Sequence, residues 1–117
     1  MLGPDHPDTL NSMSIMAAVL EATGELDQAL PLYEQTLEKR KAKLGLDHPG
    51  TLSSMNNLAV AYNNAAMLDR ALALFKQTLE KMRAKLGADH PVTLNCAGNL
   101  ASVMQAVGKL DQALPLL

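Results

Sequence analysis

The sequence predicts an all-α fold, a stack of antiparallel helix pairs, from three observations. A nine-residue motif occurs three times, as LGPDHPDTL from Leu2, LGLDHPGTL from Leu44 and LGADHPVTL from Leu86, with His6, His48 and His90 recurring every 42 residues. Aligning Leu2–Lys43 with Leu44–Lys85 gives 22 identities in 42 positions without a gap, and a repeat of this length is the signature of a solenoid or a propeller. Between the motifs apolar residues recur at helical spacing, and a composition rich in Ala, Leu and Met with three aromatics, Tyr33, Tyr62 and Phe75, favours helices over strands. The expected organisation is one array over residues 1–117, with repeats at 2–43, 44–85 and 86–117, the last truncated in its second helix.

Each unit opens on a Leu-Gly-x-Asp-His-Pro turn. The glycine can take the positive φ that ends the preceding helix, and the proline suits the first turn of the next, so helices begin near Pro7, Pro49 and Pro91. Two residues compete as N-cap. The residue before proline is pushed out of the helical region, which makes His48 the geometric cap, whereas Asp47 has the better capping side chain. Sequence leaves that choice open.

The first helix of a unit, A, carries Leu52, Met55, Leu58, Ala59 and Tyr62 on one stripe, the 3.6-residue period of a packed helix. Leu10, Met13, Met16, Ala17 and Leu20 repeat it, as do Leu94, Ala97, Leu100, Ala101 and Met104. Helix A should stop at Thr23-Gly24-Glu25, Ala65-Ala66-Met67 and Val107-Gly108-Lys109. Glycine stands at this turn in two units of three, so the middle turn is expected to be strained. The second helix, B, should run from Leu26 to about Lys43 and again from Leu68 to Lys85, with Ala29, Leu30, Tyr33 and Leu37 on one face and Asp27 suited to the positive helix start. Pro31 lies only about one turn inside, where few backbone bonds are lost, so the helix should survive with a slight bend.

Eight of the ten basic residues, Lys39, Arg40, Lys41, Lys43, Lys76, Lys81, Arg83 and Lys85, fall in the middle or last turns of helix B. Cations suit that negative end, and the interspersed Glu34, Glu38 and Glu80 make a solvated face the expected reading over an anion-binding rim. The period would carry the third B helix past Leu117, so Leu110, Ala113, Leu114 and Leu117 are expected to lack cover. With a polar cap at neither end, a fragment of a longer array that self-associates through its ends is expected.

Several function classes find no support. A formal net charge of −2 and pI near 5.8 give no global attraction to nucleic acid or an anionic membrane. No apolar run approaches a membrane span and no signal peptide is apparent, so a cytoplasmic location is expected. The single cysteine, Cys96, rules out an internal disulfide framework and sits where the other repeats have Ser12 and Ser54, as a small packing residue would. Because the histidines lie in separate repeats, they form a ladder and not a metal cluster, and no cofactor is expected. Asp27, Asp69 and Asp111 recur once per unit beside a helix start, as dipole partners and not as a catalytic pair. With no phosphate loop, HExxH or GxSxG motif, the expected role is not enzymatic. Met13, Met16, Met55 and Met104 fall on the packing stripe, which reads as core.

Leu58-Ala59, Tyr62, Ala71 and Phe75 stand at the spacing of small and large packing residues that resembles the tetratricopeptide repeat (TPR). The strings LGxDHPxTL, MNNLAxAY, LDxALxLF and TLEKxxAKLG resemble the 42-residue repeats of kinesin light chains and of bacterial multi-repeat proteins, over essentially the whole chain. The resemblance implies a TPR-type right-handed solenoid whose A helices line a concave face that holds an extended peptide, with an asparagine ahead of the Leu-Ala pair contacting the peptide backbone. Asn57 and Asn99 hold that slot, and Ile15 holds it in the first repeat. An amide suits the task because it offers donors and an acceptor to a backbone that makes no internal hydrogen bonds. The same face is expected to carry Ser53, Asn56, Val60, Asn63 and Asn64 in the second repeat and Asn95, Gly98, Ser102, Gln105 and Ala106 in the third. Asn11, Ser14, Ala18, Glu21 and Ala22 are the first-repeat set. No Lys or Arg stands among these positions, so a preference for acidic peptides is not carried over; the competing reading is that the asparagines bridge neighbouring A helices or face water. The expected function is a non-catalytic scaffold binding a peptide or partner protein. The alternatives are self-association into a homo-oligomer through the ends and the regulatory part of a larger signalling enzyme.

Overall fold

In the computed structural model, the backbone is described for residues 7–113 and the side chains for residues 9–108. The first Leu-Gly-x-Asp-His turn and the side chains of the final stub, Leu110 to Leu117, lie outside those residues. Five helices follow one another: α1 (Pro7–Ala22), α2 (Leu26–Leu44), α3 (Pro49–Asn64), α4 (Leu68–Leu86) and α5 (Pro91–Ala113). Each packs on the next in the chain, and α3 also touches α5. The result is a right-handed solenoid of antiparallel pairs measuring 58 × 34 × 20 Å, with α1, α3 and α5 as A helices and α2 and α4 as B helices.

The caps resolve the competition left by the sequence. His48 is the N-cap of α3, with extended backbone (φ −67°, ψ 140°), and its Nδ1 accepts from the Gly50 N–H at 2.9 Å. His90 does the same for the Val92 N–H at 3.1 Å. Asp47 instead pairs with Lys81 of α4 at 2.9 Å, and that hydrogen bond and charge hold its carboxyl below the usual range. Each half of the motif therefore has its own task. The imidazole starts a helix, and the carboxylate ties the turn to the next B helix.

The A-to-B turns are built alike. The Glu25 N–H reaches back to the Leu20 carbonyl at 2.8 Å, as the Met67 N–H does to the Tyr62 carbonyl, and Gly24 and Ala66 follow with bonds to Glu21 and Asn63. This pattern closes a helix around one left-handed residue. Gly24 takes it at φ 83° and Ala66 at φ 62°, so the middle turn is strained as the sequence implied. The third unit departs from expectation: α5 runs straight through Gly108 to Ala113 with no turn at 107–109. A reversal is favoured only when the following helix buries a face against the first. Pro31 is accommodated within an unbroken α2.

The core repeats with the sequence. Ala29, Tyr33 and Leu37 of α2 and Ala71, Phe75 and Leu79 of α4 are buried against Leu52, Met55, Leu58 and Ala59 of α3 and Cys96 and Val103 of α5. Burying a side chain such as Phe75 contributes about 1.5–3 kcal/mol. Thr36 and Thr78 are buried beside them, each hydroxyl donating to the carbonyl four residues back at 2.7 Å. The packing stripe holds only in part on the two outer helices, where Leu10 and Ala17 are buried and Met13, Leu20, Ala97 and Leu100 half-buried. Met16 is 55% exposed, Met104 52% and Leu94 57%, and Ala101 is exposed as well, so these are not core residues. Met16 stands where Leu58 packs beside Leu37 of α2, and α1 has no helix on that side among the described residues; Leu94 stands where Leu52 is buried.

Candidate peptide-binding face

The core stripe of each A helix leaves the opposite stripe to solvent. On α3, Ser53, Asn57 and Asn64 are exposed while Asn56, Val60 and Asn63 are half-buried; on α5, Asn95, Gly98, Ser102 and Gln105 are exposed while Asn99 and Ala106 are half-buried. On α1, Asn11, Ala18 and Ala22 are exposed and Ser14 and Glu21 half-buried. Across α3 and α5 the face is polar and uncharged.

Some of these side chains meet. Asn99 Nδ2 donates to Asn95 Oδ1, one turn earlier, at 3.2 Å and reaches Asn56 Oδ1 on the neighbouring A helix at 3.5 Å. Asn64 Nδ2 donates to Glu21 Oε2 at 2.5 Å, and Glu21 Oε1 accepts from the Tyr33 hydroxyl at 2.8 Å. That bond, the neighbouring carboxylate and above all burial push the Tyr33 phenol well up from its ordinary pKa. The three A helices are thus laced side by side, α1 to α3 through Glu21 and Asn64, α3 to α5 through Asn56 and Asn99. The expected pair is not joined: Asn99 works within the Asn56–Asn95 cluster, whereas Asn57 stands apart and exposed. With its two N–H groups directed at Asn56 and Asn95, Asn99 can offer its oxygen to a ligand; Asn57 can offer a whole amide. Ser102 turns its hydroxyl back to the Gly98 carbonyl at 3.2 Å.

Among the described residues, no reactive constellation stands elsewhere. Cys96 is fully buried with its Sγ 3.8 Å from the Phe75 carbonyl, and burial pushes its thiol up to about 11, the opposite of what a nucleophile needs. Among the described residues no three His, Cys, Asp or Glu side chains converge on a metal-sized site, and no helix is long and apolar enough to cross a membrane.

Sequence reasoning placed Arg40 among the solvated cations of helix B, and that reading is corrected. Arg40 is half-buried, its guanidinium donating to Ser54 Oγ at 2.6 Å and to Asn11 Oδ1 at 2.7 Å, and burial lowers its pKa from the ordinary arginine range. It reaches from α2 under the A-helix face. A signal was present in the sequence, because the next repeat has Met82 and Cys96 where this one has Arg40 and Ser54.

Comparison with known proteins agrees with this architecture. The sequence profile of the tetratricopeptide repeat matches residues 2–42, 13–84 and 65–117. The crystal structure of a Podosopora anserina kinesin-light-chain-type protein of nearly identical TPR-like repeats is similar with a TM-score of 0.84 at 30% identity, over 99% of this chain and 55% of that one. A point variant of that protein gives 0.79 at 30% identity, over 98% and 54%. BtubC (BKLC) from P. vanneervenii shares the fold, with a TM-score of 0.79 at 21% identity over 92% and 43%. The chain spans about half the length of these solved structures. No curated protein sequence matches. The repeat profile and the five-helix stack establish that the chain belongs to the tetratricopeptide-repeat family, and the structural neighbours it resembles are kinesin-light-chain-like.

Proposed function

We propose that the chain is a non-catalytic interaction module that holds an extended peptide of a partner protein on the face formed by α1, α3 and α5. TPR arrays in general are protein-interaction scaffolds. The observation that supports this face is its chemistry: Ser53, Asn57, Asn64, Asn95 and Gln105 present uncharged donors and acceptors on rigid, mutually laced helices. An extended backbone needs such groups, and placing them on a preorganised scaffold lowers the ordering cost of binding. Asn57 is the expected backbone reader, with Asn99 as an acceptor beside it. The test is a peptide selected from a random library displayed against the intact chain. Asn57→Ala with Asn99→Ala should weaken it at least about tenfold, the equivalent of one good hydrogen bond, with helical circular dichroism unchanged. Undiminished affinity in the double variant would refute the assignment.

A second reading, homo-oligomerisation, is favoured by the apolar exposure of Met16 and Val19 on α1 and of Leu94 and Met104 on α5. Sedimentation across a concentration series separates the two, since only this reading makes mass rise with concentration in the absence of any peptide.

A further inference from the structure

One position of the A-helix face carries a formal charge, and it stands where the other units put an amide. Glu21 of α1 occupies the slot of Asn63 on α3 and Gln105 on α5, and it is the one ionisable residue among the face positions of the three A helices. Its carboxylate is held from two sides. Oε2 accepts from Asn64 Nδ2 at the end of α3, and Oε1 accepts from the Tyr33 hydroxyl of α2 at 2.8 Å. Neither donor recurs in the array: the slot of Asn64 holds Ala22 and Ala106 in the other units, and that of Tyr33 holds Phe75. Glutamate, tyrosine and asparagine are thus one set, assembled at the first junction and omitted at the second.

Stability alone does not ask for a charge in this slot. Glu21 lies in the last turn of α1 and is bonded to the last residue of α3, and the C-terminal end of a helix disfavours an anion and favours a cation. The B helices follow that rule, with Lys41 and Lys43 in the last turn of α2 and Arg83 and Lys85 in that of α4. In α1 and α3 the last turn has no basic residue. A glutamine in place of Glu21 could still accept from Tyr33 and, with the Asn64 amide turned over, donate to its oxygen. What the carboxylate adds to the slot is therefore its negative charge.

We propose that Glu21 is a specificity-determining residue of the A-helix face, where a Lys or Arg side chain of the bound peptide docks on the carboxylate at the C-terminal ends of α1 and α3. The assignment rests on the A-helix face as the peptide surface, and it supplies a charge preference that the uncharged positions of α3 and α5 do not. The incoming cation brings to these two helix ends what the B helices carry in their own sequence. A free glutamate gives up side-chain freedom when it holds a partner, whereas Tyr33 and Asn64 have already fixed this one. Their two bonds occupy two of about four acceptor positions of a carboxylate. Glu21 is also half-buried, so a charge pair formed there is stronger than one in open water.

The probes are three capped nonapeptides, acetyl-Ala-Ala-Ser-Ala-Xaa-Ala-Ser-Ala-Ala-amide, with Lys, norleucine or Glu at the centre; norleucine keeps an aliphatic stem and removes the charge. Each is titrated into the labelled chain while the Glu21 carboxylate and the side-chain amides of Asn64, Asn57 and Asn99 are followed. The Lys peptide should shift Glu21 and Asn64 and bind about fivefold more tightly than the norleucine peptide, with the Glu peptide weakest, and added salt should narrow the gap. Glu21→Gln, which copies the residue at Gln105, should make the Lys and norleucine peptides equal while leaving helicity intact. Asn64→Ala, which copies Ala22 and Ala106 and keeps the charge, should retain a Lys preference. Equal binding of the Lys and norleucine peptides by the natural chain, or a Lys preference that survives Glu21→Gln, overturns the assignment. Failure of the peptide face would show differently, as Asn57 and Asn99 unshifted by every probe while the Lys peptide still moves Glu21 and Asn64; silence of all four residues overturns both.

Discussion

Ala66 holds a left-handed backbone at φ 62° where the equivalent Gly24 sits at φ 83°. A side chain in that region costs about 1–2 kcal/mol, while glycine returns about 0.4–1 kcal/mol of backbone freedom to the unfolded chain. Ala66→Gly should therefore stabilise the fold by about 0.5–1 kcal/mol on that balance, read as a higher urea midpoint at unchanged slope. This strain was legible in the sequence, because the 42-residue register set Ala66 against two glycines. Thr93 was not. Its hydroxyl is buried without a hydrogen-bond partner, whereas the equivalent Thr51 donates to the Arg40 carbonyl at 3.3 Å. At the second junction the corresponding Met82 carbonyl already accepts from the Gly87 N–H at 3.2 Å. Thr93→Val removes an unsatisfied polar atom at constant shape and should raise stability by about 1 kcal/mol. Two identical threonines in register gave no hint of this; it depends on where one carbonyl points.

At the scale of elements, the helices were readable because apolar period, proline starts and turn glycines agreed with one another. The residue that starts α3 was not, since His48 and Asp47 each satisfied one criterion. The structure uses both, His48 as cap and Asp47 as partner of Lys81. His48→Ala should accordingly destabilise the chain by about 1 kcal/mol, and His48→Asp should recover most of that loss, measured by thermal unfolding monitored at the helical circular-dichroism band. The unbroken α5 is the complementary lesson. Gly108 is a turn residue only when a following helix makes the turn worthwhile, and the same glycine position that reverses the chain at Gly24 lies inside a helix here. Local signals propose a boundary; packing decides it.

At the scale of the molecule, the array and its interior were legible because every unit repeats the same contacts. What belongs to one place in the stack was not. Met16 and Leu94 carry the same stripe letters as buried residues and yet lie exposed, because burial in a solenoid is supplied by neighbours. The candidate face was placed by its asparagine slots. Its internal wiring, with Asn99 bonded to Asn95 and Asn56 while Asn57 stands apart, needed three helices at once. Arg40 shows the limit most clearly: grouped with solvated cations by its helix position, it reaches beneath the face through contacts with Asn11 and Ser54 that lie 29 and 14 residues away in sequence.

The central claim is that the A helices form the ligand surface, and the most direct test is amide and side-chain shift mapping of the labelled chain with a library-selected peptide bound. The account predicts perturbations at Ser53, Asn57, Asn95 and Asn99 together, on successive A helices, with the solvent faces of α2 and α4 unmoved. Perturbations confined to α2 and α4, with those four residues unchanged, would contradict it.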